Sequence, residues 1–293
     1  MIILLSRYTI FCTVVECGSF TQAAVKLNYS QSAVSQAVRS LEQELGATLV
    51  DRTRHRLTLT IDGASYLPFL QQIAAAEAGL ERRKEELSNL QTSEIRLGTF
   101  TSVSRTFLPP RIQAFAARFP GVRFTMRQGE YDEIAQWLTD GRIDLGFTNL
   151  DAQQPQERRL LYEDRMVAVL PKNHALAGKA EISLRELTHE PFLLLDEGAF
   201  SVALRGFQAE GLTPDVRYLV YDDYTILSMV QHGLGNSLLY ERVARGFEDM
   251  AALVPLQNAP TRPVALAWKN WDTLPVAARK FADFLLEKAA AAR

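Results

Sequence analysis

The sequence predicts an α/β protein in three parts: a small helical head with a β-hairpin, one long helix, and a larger α/β domain made of two subdomains. Three observations predict this. Residues 19–45 form two short helical patterns around a turn, apolar residues recur at heptad spacing through residues 60–90, and short apolar strands alternate with helices from residue 94 onward. We expect domain boundaries at residues 1–60, 61–91 and 92–293. Subdomain I should span about 92–163 and 264–293, and subdomain II about 164–263.

The segment from residue 19 to residue 45 predicts two short helices joined by a tight turn. Ser19 or Thr21 can cap the first helix, and Asn28 and Tyr29 form the turn. Ser30 can cap the second helix, because a serine hydroxyl accepts a hydrogen bond from a free amide of the first helical turn.

The second of these helices has two faces of different chemistry. Its apolar residues recur at a helical period: Val34, Val38, Leu41 and Leu45. The opposite stripe carries hydroxyl, amide and guanidinium groups and no carboxylate: Ser32, Gln36, Arg39 and Gln43. Such a stripe suits the major groove of DNA, where base edges present paired donors and acceptors. An ordinary solvated helix would show the same pattern, so the neighbouring segments must decide between the two interpretations.

The segments on both sides of this helix favour DNA binding. Residues 4–16 predict an amphipathic helix whose apolar face provides a core for the head: Leu4, Tyr8, Phe11, Cys12 and Val15. Gly46 ends the second helix, and two β-like pieces at 48–51 and 57–60 then flank a tip that holds Arg52, Arg54 and Arg56. Like charges on a hairpin tip repel one another unless phosphates or a minor groove accept them. The head is therefore predicted to be a winged helix-turn-helix that binds double-stranded DNA, and a solvated loop is the alternative for the arginines.

The distribution of charge agrees with a DNA-binding head on a different body. The chain has 293 residues, 47% of them apolar and 23% charged, and a net charge of −2. Residues 1–60 hold six basic and four acidic residues, a net charge of +2, so the remainder carries −4. A mildly basic head joined to an acidic body suits a phosphate-contacting module attached to a domain with another task.

The cysteine content and the apolar runs indicate the compartment. Cys12 and Cys17 lie on one helix and point to different faces, so they cannot form a disulfide with each other. No other cysteine is present, which is typical of a reducing cytoplasm. We find neither a signal-peptide pattern nor the roughly 20 apolar residues needed to span a bilayer. We therefore expect a cytoplasmic protein that does not enter the membrane.

Residues 60–90 predict one long helix. One heptad series runs through it, namely Tyr66, Ile73, Leu80 and Leu87. A second series at the intervening positions, Phe69, Ala76 and Leu90, is interrupted by Arg83. Heptad spacing favours packing against the same helix of a second subunit, which implies a homodimer or homotetramer. Packing against the chain's own larger domain is the alternative. Pro68 should lie in the first turns of this helix or kink it.

From Glu94 onward, strands and helices alternate. We expect strands at 95–100, 123–128, 144–148, 160–170, 192–195, 216–221, 237–240 and 264–269. We expect helices at 106–118, 131–140, 224–232 and 276–292, and one that starts at Phe200. Short apolar strands that alternate with helices imply parallel sheets covered on both faces. Two such sets, the first of which returns at the end of the chain, predict two subdomains joined by two crossing strands with a cleft between them.

These motifs resemble the LysR-type transcriptional regulators over nearly the whole chain. The resemblance is carried by the run from Ala23 to Arg52, which reads AA-x-x-L, SQSAVS, V-x-x-LE and LG-x-x-L, and by Gly63. Further support comes from GRIDLGF at 141–147, LPKNHALA at 170–177 and MVQHGLGNSLL at 229–239. The resemblance implies a DNA-binding head, a dimerising helix and a periplasmic-binding-protein-like effector domain that senses a small molecule. RNA polymerase is a further partner to be considered.

The resemblance also implies which residues contact DNA. The matching positions on the second helix are Gln31, Ser32, Ser35, Gln36 and Arg39, and those on the wing are Arg52 and Arg54. There are departures from the family pattern. Ser32 stands where the family commonly has proline, and Tyr240 and Glu241 replace a proline at the edge of the cleft. The effector part contains no cysteine, which argues against the thiol redox sensing that some family members perform.

The candidate ligand residues follow the strands of the larger domain. In open α/β sheets, ligands bind beyond the carboxyl ends of the strands. We expect the ligand near six residues at such positions: Thr101, Ser102, Glu130, Thr148, Asp196 and Asp223. The hydroxyls of Thr101 and Ser102 can hold a carboxylate or can simply cap a helix. The acidic residues favour a polar ligand, zwitterionic or amine-bearing, and a carboxylate ligand stays open.

Catalysis finds little support in the sequence. The histidines at 55, 174, 189 and 232 lack metal-ligand spacing, and no G-x-S-x-G or Walker sequence occurs. We therefore expect a transcriptional regulator with no enzymatic activity and no cofactor, whose DNA binding or promoter activation responds to a small polar effector of unknown identity. A transport-type solute-binding module and a small-molecule enzyme with a helical arm are the alternatives.

Overall fold

The computed structural model of the chain describes residues 6–51, 57–88, 93–152, 154–198 and 200–290. These residues fall into two compact units. The first contains the described residues up to 88 together with 139–142, and the second contains the remainder.

The first unit begins with three helices, which the sequence predicts. They are α1 (Arg7–Cys17), α2 (Phe20–Leu27) and α3 (Gln31–Leu45). Their shared core contains Phe11, Val14, Val34, Val38 and Leu41. The buried face of α1 differs from the expected one: Ile10, Phe11 and Val14 are fully buried, whereas Tyr8, Cys12 and Val15 are only partly buried. Helices α2, α3 and α4 all pack on α1, which buries a different set of residues from the one the spacing alone predicts. Leu4 lies outside the described residues.

The long helix α4 (Ile61–Ser88) follows a short hairpin of β1 (Val50–Asp51) and β2 (Thr58–Leu59). Thr60 caps α4, because its Oγ1 accepts a hydrogen bond from the amide of Gly63 at 2.9 Å. A side chain at Gly63 would collide with the carbonyl oxygen of Leu49, so only glycine lets α4 approach β1 this closely. The helix continues through Pro68. The predicted long helix is thus confirmed, while the side chain of Leu87 and all of Leu90 lie outside the described residues.

The second unit is built on one mixed sheet. Its strands are β3 (Glu94–Thr99), β4 (Arg123–Gln128), β5 (Leu145–Asn149), β6 (Glu157–Leu170), β7 (Pro191–Leu195), β8 (Asp215–Val220), β9 (Asn236–Tyr240), β10 (Ala252–Val254) and β11 (Thr261–Trp268). Their order in the sheet is β4-β3-β5-β11-β6-β9-β7-β8, and β10 pairs with β6. The helices are α5 (Leu108–Arg118), α6 (Tyr131–Thr139), α7 (Val202–Ala209), α8 (Asp223–Gln231), α9 (Glu241–Ala244) and α10 (Val276–Ala290). One π-helical turn lies at Val103–Phe107 and one 3₁₀ turn at Leu184–Leu187.

The strand directions correct the expectation of parallel sheets in part. Strands β4, β3 and β5 are parallel to one another, as are β8, β7 and β9. Strands β6 and β11, however, pair antiparallel with each other, and each is also antiparallel to its next neighbour. The reason is that β6 is long enough to run through both halves of the sheet, and β11 returns beside it. Strand β10 and helix α9 were not predicted.

Two separate hydrophobic cores lie along this sheet. One contains Ile95, Phe115, Phe147, Trp268 and Phe281, and helix α10 packs into it. The other surrounds the far half of β6 together with β7, β9, α7 and α8. The α/β architecture expected from the sequence is therefore confirmed. The residues that follow β3, β4, β7 and β8 lie together around one cavity. Within the described residues, no helix has the length and apolar composition required to cross a membrane.

Candidate functional site

Helix α3 is held at both ends by the residues that the sequence predicts. Ser30 Oγ accepts a hydrogen bond from the amide of Ala33 at 3.2 Å, so Ser30 caps the helix. Gly46 ends it with a left-handed backbone (φ 64°). Asn28 likewise ends α2 with φ 57°, and Ser19 caps α2 through a bond from Gln22. These caps determine where α3 starts and therefore which of its side chains face outward.

The outward stripe of α3 carries the predicted base-reading residues. Gln31, Ser32, Gln36 and Arg39 are exposed and Ser35 is partly buried, while Val34, Val38 and Leu41 are fully buried on the opposite side. The predicted separation of an aliphatic face from a polar face is therefore confirmed. Ser32 Oγ lies 3.0 Å from Ser30 Oγ, so its hydroxyl joins the cap of the helix.

Both acidic residues of α3 are bonded to other residues of the head. Glu42 Oε1 accepts hydrogen bonds from the amides of Leu49 at 2.9 Å and Val50 at 3.3 Å. Glu44 forms an ion pair of 2.7 Å with Arg7. Because Glu42 is bonded to the loop and Glu44 is paired with a cation, the polar stripe presents no uncompensated negative charge to DNA phosphates.

The wing is described only at its base. Val50 pairs with Leu59 and Asp51 pairs with Thr58 in an antiparallel ladder. These strands are shorter than the β-like pieces that the sequence predicts. Arg52 and Arg54, the predicted wing contacts, lie outside the described residues.

A small cavity opens at the carboxyl ends of the strands of the second unit. Its lining comes from the residues after β3, β4, β7 and β8 and from two further strands: Phe100, Thr101, Ser102, Glu130, Tyr131, Leu195, Asp196, Glu197, Tyr221, Asp223, Tyr240 and Arg262. Its volume is about 30 Å³, and it is open to solvent on one side. Five of the six predicted ligand residues are therefore brought together, namely Thr101, Ser102, Glu130, Asp196 and Asp223. Thr148 is not among them, because it is fully buried and its Oγ1 donates a hydrogen bond to Gln154 at 2.8 Å.

Arg262 of β11 is the centre of this cavity. Its guanidinium group donates to Tyr131 Oη at 3.0 Å, to Ser102 Oγ at 2.7 Å and to Asp164 Oδ2 at 3.0 Å. The guanidinium carbon also lies 3.4 Å from the centroid of the Tyr240 ring and 4.4 Å from that of Phe100. A cation that is hydrogen-bonded in its plane and covered by two aromatic faces is held in one orientation.

Glu197 completes the buried network. The hydroxyls of Tyr240 and Tyr131 donate to its Oε1 at 2.5 and 3.3 Å, and the amide of Val202 donates to its Oε2 at 3.0 Å. Glu197 Oε1 also lies 3.9 Å from Arg262 Nη1. Burial raises the pKa of Glu197, although Arg262 and these hydrogen bonds oppose the increase.

The remaining acids give the cavity a negative lining. Burial raises the pKa of Glu130 to about 7, with further contributions from the nearby Glu197, Asp196 and Asp223. Burial likewise raises the pKa of Asp223 to about 6. Both carboxyl groups therefore titrate closer to neutral pH than a solvent-exposed acid does.

Sequence reasoning missed Arg262 and Tyr131 as cavity residues. The predicted strand began at Val264, two positions beyond Arg262. The sequence contains one signal for Arg262, because it is a charged residue in the otherwise apolar stretch TRPVALAW. An arginine that is buried with such a strand needs hydrogen-bonding or charged partners. Tyr240 and Glu241 are the residues at which the edge of the cleft is expected to differ from the family pattern. Tyr240 lines the cavity. Glu241 lines a separate groove, where it accepts hydrogen bonds from Arg165 at 2.6 Å and from Arg245 at 2.7 Å.

Metal-binding geometry is not found in the described part of the chain. No group of three or more His, Cys, Asp or Glu side chains there is arranged to hold a metal ion. His55 lies outside the described residues.

Two family models match this chain. The model described as a bacterial regulatory helix-turn-helix protein of the lysR family matches residues 5–64. The model described as the LysR substrate binding domain matches residues 88–290. Both families consist of transcriptional regulators and their domains, which agrees with the expectation that the chain is not an enzyme.

Similar proteins extend over nearly the whole chain. The HTH-type transcriptional regulator YvbU of Bacillus subtilis is 30% identical over 286 residues, which cover 97% of this chain and 98% of YvbU. The crystal structure of HinK, a LysR family transcriptional regulator from Pseudomonas aeruginosa, is 32% identical with a TM-score of 0.61 and covers 97% of each chain. Full-length CbnR in complex with its target DNA shares the fold at a TM-score of 0.73 and 20% identity, over 97% of this chain and 98% of CbnR.

Proposed function

Since the chain belongs to the LysR family of helix-turn-helix transcriptional regulators, we propose that it reads a specific operator as a homo-oligomer and that a small polar metabolite in the cavity controls this binding. The polar stripe of α3 would lie in the major groove, and two copies would read the two halves of a pseudo-palindromic site. The ligand would favour one closure of the cleft, and this shift of population would change how the paired heads engage and bend DNA.

The observation that carries the DNA-binding proposal is the surface of α3. Gln31, Ser32, Gln36 and Arg39 form one exposed stripe, and both acids of the helix have partners elsewhere in the head. Glutamine can bond adenine and arginine can bond guanine in a bidentate manner in the major groove. An ordinary solvated helix gives no physical reason for carboxylates to be absent from this stripe.

The proposal of a homo-oligomer rests on the exposed apolar face of α4. Phe69 is 65% exposed, Ile73 41% and Leu80 60%, and with Ala76 they recur at a helical spacing of four, three and four residues. Large apolar side chains in such a row are costly to leave in water. A second copy of the same helix would cover the row at coiled-coil spacing, which supports a dimer or a tetramer built from dimers.

The proposal of a metabolite rests on the cavity. Five residues selected from the ends of the strands line it, and a buried arginine is held in place by four neighbours. A domain of the LysR substrate-binding family provides the setting. RNA polymerase remains a proposed partner, and the cytoplasm is the proposed compartment because that is where a regulator meets promoters.

The test is DNA binding by the full chain to the DNA upstream of its own gene, measured by gel shift over a series of salt concentrations. We expect one retarded species at a concentration of protein that leaves scrambled DNA free, and binding that weakens steeply as salt increases, since phosphate contacts release counterions. Equal binding to both DNAs, or none at low salt, would contradict the proposal and leave a transport-type solute-binding module as the better interpretation.

A further inference from the structure

We propose that the cavity binds a compact organic cation, an ammonium or guanidinium head that lies among Glu130, Asp196 and Asp223 while the rest of the ligand extends past Tyr221. This inference rests on the proposed function, because it assigns the chemical class of the effector at the same site. It is carried by the charge balance of the lining, by one buried acceptor and by the aromatic walls.

The charge balance leaves the cavity short of positive charge. Four carboxylates line it, those of Glu130, Asp196, Glu197 and Asp223, and Arg262 is the basic residue that joins them there. Arg262 already pairs with Asp164 at 3.0 Å and with Glu197 at 3.9 Å. Among the described residues, no ion pair reaches Glu130, Asp196 or Asp223. A bound cation would neutralise charge that the protein itself leaves unbalanced.

Asp223 provides a second, independent observation. It is the first residue of α8, its exposure is only 5%, and it lines the cavity. Its Oδ1 is buried and accepts no hydrogen bond from the described part of the chain. Buried acceptors normally have donors, and a carboxylate oxygen without one is a place where a ligand N–H group can gain a hydrogen bond.

The aromatic residues of the lining also favour a cation. Phe100 and Tyr240 already cover the guanidinium group of Arg262, at 4.4 and 3.4 Å from their ring centroids. Tyr221 at the mouth is 73% exposed, so its ring is available to the part of the ligand outside. Aromatic faces attract ammonium and guanidinium groups electrostatically.

Two other classes of ligand fit the lining less well. A carboxylate head would meet four acidic side chains. The one arginine of the lining has its Nη atoms bonded to Tyr131, Ser102 and Asp164, so its Nε, which has no partner among the described residues, is the donor left for an anion. A metal ion requires three or more ligands at suitable positions, and the described residues provide no such group. The directional N–H donors of an organic cation match the separate carboxylates instead.

Cation binding at this site is coupled to proton release. Burial and the neighbouring acids raise the pKa of Glu130 to about 7, and burial raises that of Asp223 to about 6, so both are partly protonated in the free protein near neutral pH. A cation favours the ionised form of each carboxyl group. Affinity for the cation should therefore increase with pH through this range, whereas affinity for an anion would decrease.

The test is isothermal titration calorimetry on the full chain with methylammonium, putrescine and agmatine as cationic probes and succinate as the anionic probe. We expect at least one cationic probe to bind with proton release, seen as a binding enthalpy that depends on the ionisation enthalpy of the buffer. Asp223→Asn should weaken that binding at least about tenfold, about 1.4 kcal/mol. Glu210→Gln removes one exposed carboxylate from the C-terminal end of α7, outside the cavity, and is the matched control that should bind as the parent does.

Four results would overturn the inference: no heat with any cationic probe at about 10 mM, where even weak binding is visible; tighter binding of succinate; binding of Mg²⁺ or Ca²⁺ in place of the amines; or equal weakening by Asp223→Asn and Glu210→Gln. Circular dichroism of each variant confirms that it is folded. The gel shift separates the two proposals. Specific DNA binding without amine binding refutes only the ligand class, whereas amine binding without specific DNA binding refutes only the regulator.

Discussion

Arg262 Nη2 donates a hydrogen bond of 2.7 Å to Ser102 Oγ across 160 positions of the chain. The hydroxyl of Ser102, which the sequence offers as an anchor for an anionic ligand, therefore accepts a bond from the protein's own cation. Its O–H group can still donate. The pair ties the end of β3 to β11 and thereby positions the floor of the cavity.

Replacing Arg262 should destabilise the second unit strongly. Arg262→Ala leaves Glu197 buried without its cation and leaves Asp164 with the longer contact of 3.8 Å to Arg242. We therefore expect a loss of about 3 kcal/mol in the free energy of unfolding. Urea denaturation followed by circular dichroism measures it. Arg217→Ala is the matched control, because Arg217 pairs with Asp215 on the exposed surface and its loss should cost less than about 1 kcal/mol. Similar losses in the two variants would contradict the central role of Arg262.

Arg39 should contribute to sequence preference. Arg39→Ala removes an exposed guanidinium group from the stripe of α3, and we expect about 1–3 kcal/mol weaker binding to the operator with little change on scrambled DNA. Competition gel shifts with both DNAs measure the ratio. Arg118→Ala removes an exposed arginine at the end of α5 and serves as the control. An unchanged ratio of affinities in Arg39→Ala would refute the assigned role.

Arg54, outside the described residues, should act on all DNA alike. If it contacts phosphate, Arg54→Ala lowers affinity for operator and scrambled DNA to a similar degree. The slope of log affinity against log salt should then become less steep by about one unit. Fluorescence anisotropy over a range of salt concentrations measures both quantities. A loss confined to the operator would instead indicate that the wing reads bases or the shape of the minor groove.

Ile73 should contribute to the association of subunits. Ile73→Glu introduces a charge into the exposed apolar row of α4, and we expect the dimer dissociation constant to increase by about a hundredfold or more, since burying an unpaired charge is costly. Analytical ultracentrifugation measures it. Gln72→Glu adds the same charge at the neighbouring exposed position, outside the row, and should leave the dimer intact. An equal effect of the two substitutions would favour packing of α4 on another part of the chain.

Glu130 should make stability depend on pH. Its pKa is raised from 4.5 to about 7, chiefly by burial, so the folded state favours the protonated form. The stabilising contribution is fully present below about pH 4.5 and is lost as the pH rises through about 7. Glu130→Gln should therefore raise the Tm near pH 8 and change it little near pH 4.5. Because Glu130 is partly exposed and screened by solvent, the gain in the free energy of unfolding near pH 8 should be roughly 1 kcal/mol. A Tm lowered equally at both values, as measured by differential scanning fluorimetry, would show that Glu130 contributes packing alone.

Much of the head and the order of the elements could be predicted from the sequence. The caps at Ser19 and Ser30, the turn at Asn28 and the end of α3 at Gly46 are local features that depend on a few neighbouring residues. The two faces of α3 and the extent of α4 follow from the spacing of apolar residues along one helix. For the same reason most strands of the second unit begin and end within a few residues of the expected positions.

The centre of the cavity was decided by the tertiary structure. Arg262 donates hydrogen bonds to Ser102, Tyr131 and Asp164, which lie 160, 131 and 98 positions away. The apolar stretch around it marks Arg262 as unusual, but no sequence feature identifies these three partners. Thr148 shows the converse, since it follows the expected pattern of a strand end and yet turns inward to Gln154. Periodicity and capping are local and can be read along the chain. The partners of a buried charge depend on which distant strands become neighbours in the sheet, and only the folded structure determines that.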